Sequence, residues 1–292
     1  MIVINIIKSM RPRQWVKNLF IFAPLIFSKN VFDFQLLLKA IFSFVSFCLL
    51  SGAVYILNDI KDIEEDKLHP LKSRRPLASG SLRKEHALAS FFILSILGFA
   101  LASILNPVFL LSVFIYFVIQ LLYSFWLKHV LIVDVFVIAA GFLIRVVAGG
   151  VAIEVSLSSW LLICTILLSL FLAMSKRRHE IILLEENASN HRPILAHYNP
   201  YLLDQMIAVV TASTLISYCL YTISEETVAK FQTKNLIFTV PFVLYGIFRY
   251  LYLIHQRYEG GSPEALIIKD KPLLVDIFLW IVSVVIILYV KW

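Results

Sequence analysis

Charged side chains are scarce in this sequence. They make up 15% of its 292 residues, whereas 60% of the residues are hydrophobic. A soluble domain of ordinary composition carries about 25% charged residues. The low charge therefore excludes an ordinary soluble domain and predicts a chain whose solvent is largely lipid. The basic excess, a net charge of +7, is typical of the cytoplasmic loops of a membrane protein and does not indicate nucleic-acid binding.

Cysteine is also rare. Cys48, Cys164 and Cys219 lie far apart within apolar runs and lack the spacing of metal ligands, so we interpret them as small buried hydrophobic side chains. The sequence contains no GxSxG, HExxH or Walker-type motif, and its seven histidines are scattered. It therefore gives no support to a serine hydrolase, a zinc protease or a P-loop nucleotidase.

Long apolar runs, by contrast, are abundant. A helix needs about 20 mostly apolar residues to cross a bilayer. Nine runs come close to this length, which predicts an all-α polytopic membrane protein with about nine transmembrane helices. The runs cover residues 15–31, 36–58, 86–105, 107–127, 131–153, 158–175, 204–223, 235–255 and 273–290. Because no low-complexity linker divides the chain, we expect a single transmembrane domain over residues 1–292.

Lysine and arginine gather in alternate connections between the predicted spans. The connections after the second and sixth runs are rich in both residues, whereas the loop from Glu225 to Lys234 is nearly bare of them. The positive-inside rule then predicts a cytoplasmic N-terminus and an external C-terminus. Residues 59–85 and 176–203 are long enough to form cytoplasmic segments that cap the bundle.

An acidic segment follows the second run. Asn58, Asp62 and Asp66 are spaced by four residues, and Asp59 lies one step round the helix, which predicts one stripe of oxygens. Like charges on one face repel unless a cation lies between them, and hard oxygen ligands of this kind suit Mg²⁺ bound to a diphosphate. The alternative is a solvated helix end with ordinary surface acids, which is less favourable at a membrane boundary.

Basic side chains occur on the same predicted side of the membrane. Arg74 and Arg75 lie between two prolines shortly after the acidic segment, where they can neutralise phosphate oxygens or act only as an orientation signal. Arg145 and Arg249 fall within or near apolar runs. An intramembrane arginine indicates a functional site, although Arg249 can also extend to the interface.

These motifs resemble a known family. Asn58 to Asp66, followed by the Arg-Pro-Leu-Ala-Ser-Gly segment that ends at Gly80, is similar to the first Asp-rich motif of the UbiA superfamily of intramembrane prenyltransferases. That family's architecture is also one of nine helices, with this motif and a second Asp-rich motif on the cytoplasmic side. Tyr123, Lys128 and Asp134 stand where such proteins carry a tyrosine, a basic residue and a polar residue.

Within the superfamily, the sequence resembles the decaprenyl-phosphate phosphoribosyltransferases. The similarity lies in residues 11–18, 55–62 and 134–150, and in the segment Lys176-Arg-Arg-His-Glu180. This last segment stands where ordinary superfamily members carry a second Asp-rich motif. It supplies mainly positive charge, which argues against a second Mg²⁺ held by two aspartates.

The resemblance implies Mg²⁺-dependent transfer of 5-phosphoribosyl from phosphoribosyl diphosphate to a polyprenyl phosphate of the decaprenyl type. Diphosphate is released, at the cytoplasmic face of the inner cell membrane, to make a cell-envelope glycolipid precursor. Asn58, Asp59, Asp62 and Asp66 are expected to hold Mg²⁺, and Asp59 and Asp62 are the catalytic candidates. Three anionic groups meet in this reaction, and the candidate substrate-binding residues are Lys17, Arg74, Arg75, Tyr123, Lys128, Lys176, Arg177 and Glu180. Glu180 either contacts a ribose hydroxyl or orients Arg177. No nucleic-acid partner is expected, and a homo-oligomer is left open.

Two other functions compete with this one. An ordinary UbiA-type prenyltransferase would move an isoprenoid from its diphosphate to an aromatic acceptor, and it would carry an acidic pair where this chain has Lys176 to Glu180. A transporter would place ionisable groups at several membrane depths. Here such groups are strongly one-sided, with Arg145 and Glu154 as the main exceptions.

Overall fold

The protein is helical throughout the part of the chain that the structure, a computed structural model, describes: residues 2–68, 72–184, 198–257, 261 and 263–290. No strand occurs in these ranges, so the prediction of an all-α protein is confirmed. The α-helices are α1 (Ile2–Ser9), α2 (Ala23–Phe27), α3 (Phe34–Lys61), α4 (Ile63–Leu68), α5 (Lys84–Leu105), α6 (Pro107–Phe125), α7 (Val133–Ala152), α8 (Ser159–Leu184), α9 (Pro200–Ile223), α10 (Glu225–Phe231), α11 (Val240–Gln256), α12 (Pro263–Lys269) and α13 (Lys271–Tyr289). Short 3₁₀ helices cover Pro12–Phe22, Lys72–Arg74, Leu127–His129 and Asn235–Thr239.

Within the described residues, eight helical segments are long and apolar enough to cross a membrane. These are α3, α5, α6, α7, α8, α9, α13 and the combined segment Asn235–Gln256. The chain is therefore a multi-pass membrane protein, as predicted. The count of nine is not confirmed.

The difference lies in the first predicted span, residues 15–31. It is a 3₁₀ helix over Pro12–Phe22 followed by the short helix α2. Pro24, the second residue of α2, has no N–H to donate, and its ring would clash with the carbonyl four residues earlier in a continuous α-helix. Hydropathy finds the apolar run but does not detect this break.

The break predicted at Asn106 and Pro107 is confirmed, and the structure shows why it occurs there. Oδ1 of Asn106 accepts a hydrogen bond from the N–H of Phe109 at 2.7 Å, which caps α6. Pro107 is the first residue of that helix, where a missing N–H costs nothing. The amide nitrogen of Asn106 donates to the carbonyl of Val151 at 3.0 Å. One side chain thus ends one helix, starts the next and ties both to α7.

The sixth predicted run, 158–175, is part of a longer helix. α8 continues to Leu184, so Lys176 to Glu180 lie on its last turns. The predicted cap segment 59–85 contains α4 and the 3₁₀ turn Lys72–Arg74. In the other predicted cap segment, residues 185–197 lie outside the described ranges.

The chain divides into two compact units. Unit 1 comprises Met1–Trp126 with Ile144–Ser156, and unit 2 comprises Leu127–Leu143 with Leu157–Trp292. The prediction of a single domain over residues 1–292 stays a prediction.

Each unit has its own apolar core. In unit 1, α3 packs against α5 around Phe47, which is fully buried and contacts the ring of Tyr116 at a centroid distance of 4.9 Å. In unit 2, α8 packs against α9, and the rings of Phe171 and Tyr250 meet at 5.0 Å.

One close backbone contact fixes the 3₁₀ segment of unit 1. A Cβ atom added at Gly149 on α7 would overlap the carbonyl oxygen of Ile21 and lie 3.0 Å from its carbonyl carbon. Only glycine allows this approach, because the carbonyl group of Ile21 is backbone and cannot rotate away as a side chain could. The broken first segment is thereby held directly against α7.

Candidate active site

Two aspartates of unit 1 share one arginine. Nη1 of Arg75 donates to Oδ2 of Asp66 at 2.6 Å and to Oδ1 of Asp59 at 3.3 Å. Both carboxylates are buried, with exposures of 1% for Asp59 and 3% for Asp66. Arg11 also donates to Oδ1 of Asp59, and its guanidinium lies 4.9 Å from the ring centre of Tyr55. The site is thus a compact network of two aspartates and two arginines.

The chain places the two acids on one face by a nearly continuous helix. α3 ends at Lys61 and α4 begins at Ile63, with Asp62 as the only residue between them. The N–H of Asp62 donates to the carbonyl of Asn58 at 2.9 Å, and that of Asp66 to the carbonyl of Asp62 at 2.8 Å. Helical bonding therefore persists, and residues seven apart share a face.

The sequence predicted a stripe of Asn58, Asp62 and Asp66 with Asp59 beside it. The structure instead joins Asp59 to Asp66 through Arg75, while Asn58 and Asp62 are half-buried. The assignment of these four residues to a metal stays a prediction.

A turn anchored in the core positions Arg75. The N–H of Ser79 donates to the carbonyl of Arg75 at 2.9 Å, and Gly80 has a φ of 76°, a left-handed conformation that favours glycine. Leu77 and Leu82 are buried in an apolar cluster with Ile56 of α3. The Arg-Pro-Leu-Ala-Ser-Gly segment is therefore a packed turn that presents one arginine to the two aspartates. Its neighbour Arg74 is exposed.

Arg11 belongs to the segment 11–18 that carries part of the family resemblance, but it is not among the predicted site residues. Its φ of 55° is uncommon for a residue other than glycine. Such strain concentrates at functional positions, and here it accompanies the contact to Asp59. The signal in the sequence was the pair Arg11-Pro12, which stops α1 and starts the 3₁₀ helix.

A second cluster lies in unit 2. Nε of Arg177 donates to Oδ2 of Asp134 at 2.6 Å, and its Nη1 donates to Oε2 of Glu180 at 2.6 Å. Arg177 and Asp134 are buried, whereas a quarter of the Glu180 side chain is exposed. Nζ of Lys176 lies 3.9 Å from the other oxygen of Glu180. Glu180 thus contacts Arg177, and its two proposed roles, contact with a ribose hydroxyl or orientation of Arg177, stay predictions.

Tyr198 completes this cluster and was not singled out in the sequence. Its hydroxyl donates to Oδ1 of Asp134 at 2.9 Å and accepts from the N–H of Ile132 at 2.9 Å. Burial, and then the nearby Asp134 carboxylate, raises the pKa of Tyr198 to about 12. The hydroxyl thus remains a neutral donor at physiological pH. No local pattern links Tyr198 to Asp134, because 64 residues separate them.

The segment expected to be mainly positive is largely neutralised within unit 2. Arg177 contacts two carboxylates, and Arg178 donates to the carboxylate of Asp204. Lys176 is the most exposed cation of the three, with 39% of its side chain accessible. Only 1% of Arg177 is exposed. Its role in binding a substrate anion stays a prediction.

Arg145 and Arg249, the two arginines within or near apolar runs, have different environments. Arg249 forms a two-pronged pair with Asp270, at 3.1 and 2.9 Å, and so has a structural explanation. Arg145 is buried in unit 1, where it donates to Oδ1 of Asn18 at 2.7 Å and to the hydroxyl of Tyr116 at 2.8 Å. Asn18 directly follows Lys17, so this contact fixes the backbone beside a candidate binding residue.

The remaining candidates are distributed over both units. Lys17 and Tyr123 belong to unit 1 and Lys128 to unit 2, and all three are half-buried. Their roles in substrate binding stay predictions.

A sequence model of the UbiA prenyltransferase family matches residues 19–288. The chain belongs to this family. Among solved structures of the family, a UbiA homologue from Archaeoglobus fulgidus bound to GPP and Mg²⁺ superposes with a TM-score of 0.74 at 18% identity, covering 98% of this chain and 100% of that one. That likeness establishes the shared fold.

Two curated relatives have a higher sequence identity to this chain. The decaprenyl-phosphate phosphoribosyltransferase of Mycolicibacterium smegmatis is 32% identical, with 96% of this chain and 91% of the relative aligned. The protein of the same name from Mycobacterium tuberculosis (strain CDC 1551 / Oshkosh) is 30% identical, with 97% and 94% aligned. Both alignments run nearly from end to end of the chains.

The donor set of unit 1 suits a divalent cation. No group of three or more acidic, histidine or cysteine side chains in the described residues is arranged to hold a metal. Two buried carboxylates, hard oxygen donors, do however point at one positive nitrogen of Arg75. Mg²⁺ is commonly held by only one or two carboxylates, with waters and substrate phosphates as its other ligands. The residues present therefore fit a Mg²⁺ that arrives with a diphosphate.

Proposed function

We propose that this protein transfers a 5-phosphoribosyl group from phosphoribosyl diphosphate to a polyprenyl phosphate in a Mg²⁺-dependent reaction. The observation that carries the proposal is the end-to-end similarity to relatives named decaprenyl-phosphate phosphoribosyltransferase, at 30 to 32% identity. The polar clusters of the two units supply chemistry that suits this reaction.

The acidic site of unit 1 is suited to the donor's diphosphate. Asp59 and Asp66, with Asn58 and Asp62 beside them, would hold Mg²⁺, which when bound would neutralise charge on the diphosphate and make it a better leaving group. Arg75 and Arg11 keep the two buried carboxylates in place. About a quarter of each arginine side chain is exposed, so both can also contact phosphate oxygens.

The cluster of unit 2 is suited to the sugar and to a further phosphate. Arg177, anchored by Asp134, holds one oxygen of Glu180. The other oxygen of Glu180 can accept a hydrogen bond from a ribose hydroxyl, and Lys176 can contact a phosphate. In this proposal Arg177 acts as a positioning residue.

The proposed reaction breaks the bond between C1 of the ribose and the diphosphate oxygen. The bonding electrons leave with the diphosphate, and C1 gains oxocarbenium character. An oxygen of the lipid phosphate forms the new bond to C1 on the opposite face, which inverts C1. Because the acceptor phosphate is already ionised, no general base is required, which fits the absence of a poised histidine among the candidates.

The site is proposed to face the cytoplasm, where the predicted topology places both motifs. Phosphoribosyl diphosphate is a soluble, highly charged molecule, so a donor site at the aqueous boundary of α3 is reasonable. The acceptor would approach through the lipid phase.

The test uses the full chain purified in detergent, with Mg²⁺, labelled phosphoribosyl diphosphate and a polyprenyl phosphate. We expect a labelled lipid that requires both substrates and disappears with a chelator. A parallel reaction contains a labelled prenyl diphosphate and an aromatic acceptor. Product only in that reaction would replace the proposal by ordinary prenyl transfer. The inactive control is Asp59→Asn, checked for folding by its thermal unfolding.

A further inference from the structure

The hydroxyl of Tyr198 lies at a buried junction in unit 2. Its oxygen accepts a hydrogen bond from the N–H of Ile132 at 2.9 Å and donates one to Oδ1 of Asp134 at 2.9 Å. Tyr198 is 4% exposed and Asp134 is fully buried. One tyrosine oxygen therefore connects the residue before α7 to the first turn of that helix.

The N–H of Ile132 sets the direction of the hydroxyl proton. A tyrosine hydroxyl both donates and accepts. Because the backbone N–H occupies its acceptor side, the proton points to the carboxylate of Asp134. The backbone that aims this N–H is strained, since a φ of 67° is an outlier for a β-branched residue such as Ile132. Such strain persists only where surrounding contacts hold it, and the bond to Tyr198 is one of them.

Asp134 links this hydroxyl to the charged cluster of α8. Its Oδ1 accepts from Tyr198, and its Oδ2 accepts from Nε of Arg177 at 2.6 Å. The carboxylate therefore cannot rotate without losing a bond. Nη1 of Arg177 in turn donates to Oε2 of Glu180 at 2.6 Å. Because the guanidinium is planar and rigid, the direction of the bond to Asp134 fixes the direction of the bond to Glu180.

Glu180 is the accessible end of this chain of hydrogen bonds. A quarter of its side chain is exposed, whereas 1% or less of the Arg177 and Asp134 side chains is exposed. Its second oxygen, Oε1, lies 3.9 Å from Nζ of Lys176, which is too long for a hydrogen bond. A carboxylate oxygen has two acceptor positions, so Oε1 can accept from a hydroxyl of a bound ligand.

We propose that Tyr198 is a positioning residue for the phosphoribosyl transfer, which acts through Asp134 and Arg177 to aim Glu180 at a ribose hydroxyl of the donor. This inference rests on the proposed function. Without the Tyr198 hydroxyl, Oδ1 of Asp134 loses its donor and can turn toward Arg177 to form a two-pronged pair. The guanidinium then moves, and Glu180 moves with it.

The test measures transfer of labelled 5-phosphoribosyl to a polyprenyl phosphate by the full-length protein in detergent with Mg²⁺. Tyr198→Phe keeps the ring and removes the hydroxyl. We expect its kcat/KM for phosphoribosyl diphosphate to fall about tenfold, because a small displacement of a group that positions the substrate is enough for such a loss. In a Glu180→Ala background the same change should lower kcat/KM by less than about twofold, since residues that act through one group are not additive. Equal losses in the two backgrounds would overturn the proposal.

Tyr218→Phe is the matched control. Tyr218 is a buried tyrosine of the same unit, and its hydroxyl forms hydrogen bonds with Thr239 at 2.7 Å and with Trp280 at 2.9 Å. Both Tyr→Phe variants should unfold at a lower temperature than the wild type, but only Tyr198→Phe should lose kcat/KM. An equal kinetic loss in Tyr218→Phe would mean that general loosening of unit 2 is the cause, which contradicts a positioning role.

Ile132→Gly, added to Tyr198→Phe, separates stability from positioning. Glycine relieves the left-handed strain at this position, so the unfolding temperature should rise toward that of the wild type while kcat/KM stays low. Recovery of both quantities would leave Tyr198 with a structural role only. A wild type that transfers no phosphoribosyl would overturn the proposed function itself, whereas active wild type with an unaffected Tyr198→Phe variant would overturn only the present inference.

Discussion

Nε of Arg177 lies 2.6 Å from Oδ2 of Asp134, and 1% or less of either side chain is exposed. Two unlike charges are therefore fully removed from solvent in unit 2. Breaking such a pair by removing one partner leaves a buried charge without compensation, whereas removing both is far less costly.

Asp134→Ala should destabilise the protein by about 3 kcal/mol, because the buried guanidinium of Arg177 then loses its buried carboxylate partner. The double variant Asp134→Ala with Arg177→Met should recover part of this loss. Thermal unfolding in detergent measures both. The control is Glu154→Gln, which breaks the exposed pair with Lys39 and should cost less than about 1 kcal/mol. Equal losses for the buried and the exposed pair would contradict the prediction.

Arg74 and Arg75 are adjacent in sequence and form a matched pair for the acidic site. Arg75→Lys should lower turnover by about 100-fold, because one nitrogen of Arg75, Nη1, contacts both Asp59 and Asp66, and a lysine keeps the charge but lacks the rigid planar guanidinium that holds this nitrogen between them. Arg74→Lys keeps those contacts and the charge, so its effect should be smaller than tenfold. The assay is phosphoribosyl transfer at several Mg²⁺ concentrations. A larger loss in Arg74→Lys would mean that the network around Arg75 is structural only.

Gly149→Ala should be strongly destabilising, since its methyl group would overlap the backbone carbonyl of Ile21. Gly80→Ala is the comparison. No atom lies within 4 Å of its added Cβ, and only the positive φ of 76° opposes it, at a cost of about 1–2 kcal/mol. Thermal unfolding of the two variants should rank Gly149→Ala well below Gly80→Ala. The reverse order would show that the 3₁₀ segment can move away from α7.

The pair of Arg249 and Asp270 predicts a dependence of stability on pH. Hydrogen bonds from the Arg249 guanidinium, followed by the N–H of Leu273, lower the pKa of Asp270. The folded pKa is thus below the unfolded value of about 3.9, so the stabilisation is complete above that pH and is lost as pH falls through the folded pKa. Unfolding temperatures measured from neutral to acidic pH should fall less steeply for Asp270→Asn than for the wild type. Parallel curves would contradict the prediction.

Much of the architecture was accessible from local patterns. Apolar runs predicted the eight helical segments of the described residues that are long and apolar enough to cross a membrane. The Asn106-Pro107 break was placed correctly because capping and proline chemistry act within a few residues. The first span was wrong as a single helix, since hydropathy does not register Pro24. The helical extension that carries Lys176 to Glu180 was also missed, because charges usually end an apolar run.

The acidic segment at the end of α3 also shows which features neighbouring residues determine and which features depend on packing. The sequence by itself determined the chemistry available: a membrane chain, carboxylates at the end of α3, arginines shortly after them, and the motifs of the UbiA family. Only the tertiary structure decided which groups meet. Arg11 reaches Asp59 across 48 residues, and Arg177 reaches Asp134 across 43. Hydropathy and helical period are properties of neighbouring residues, whereas the partner of a buried charge is set by how distant helices pack.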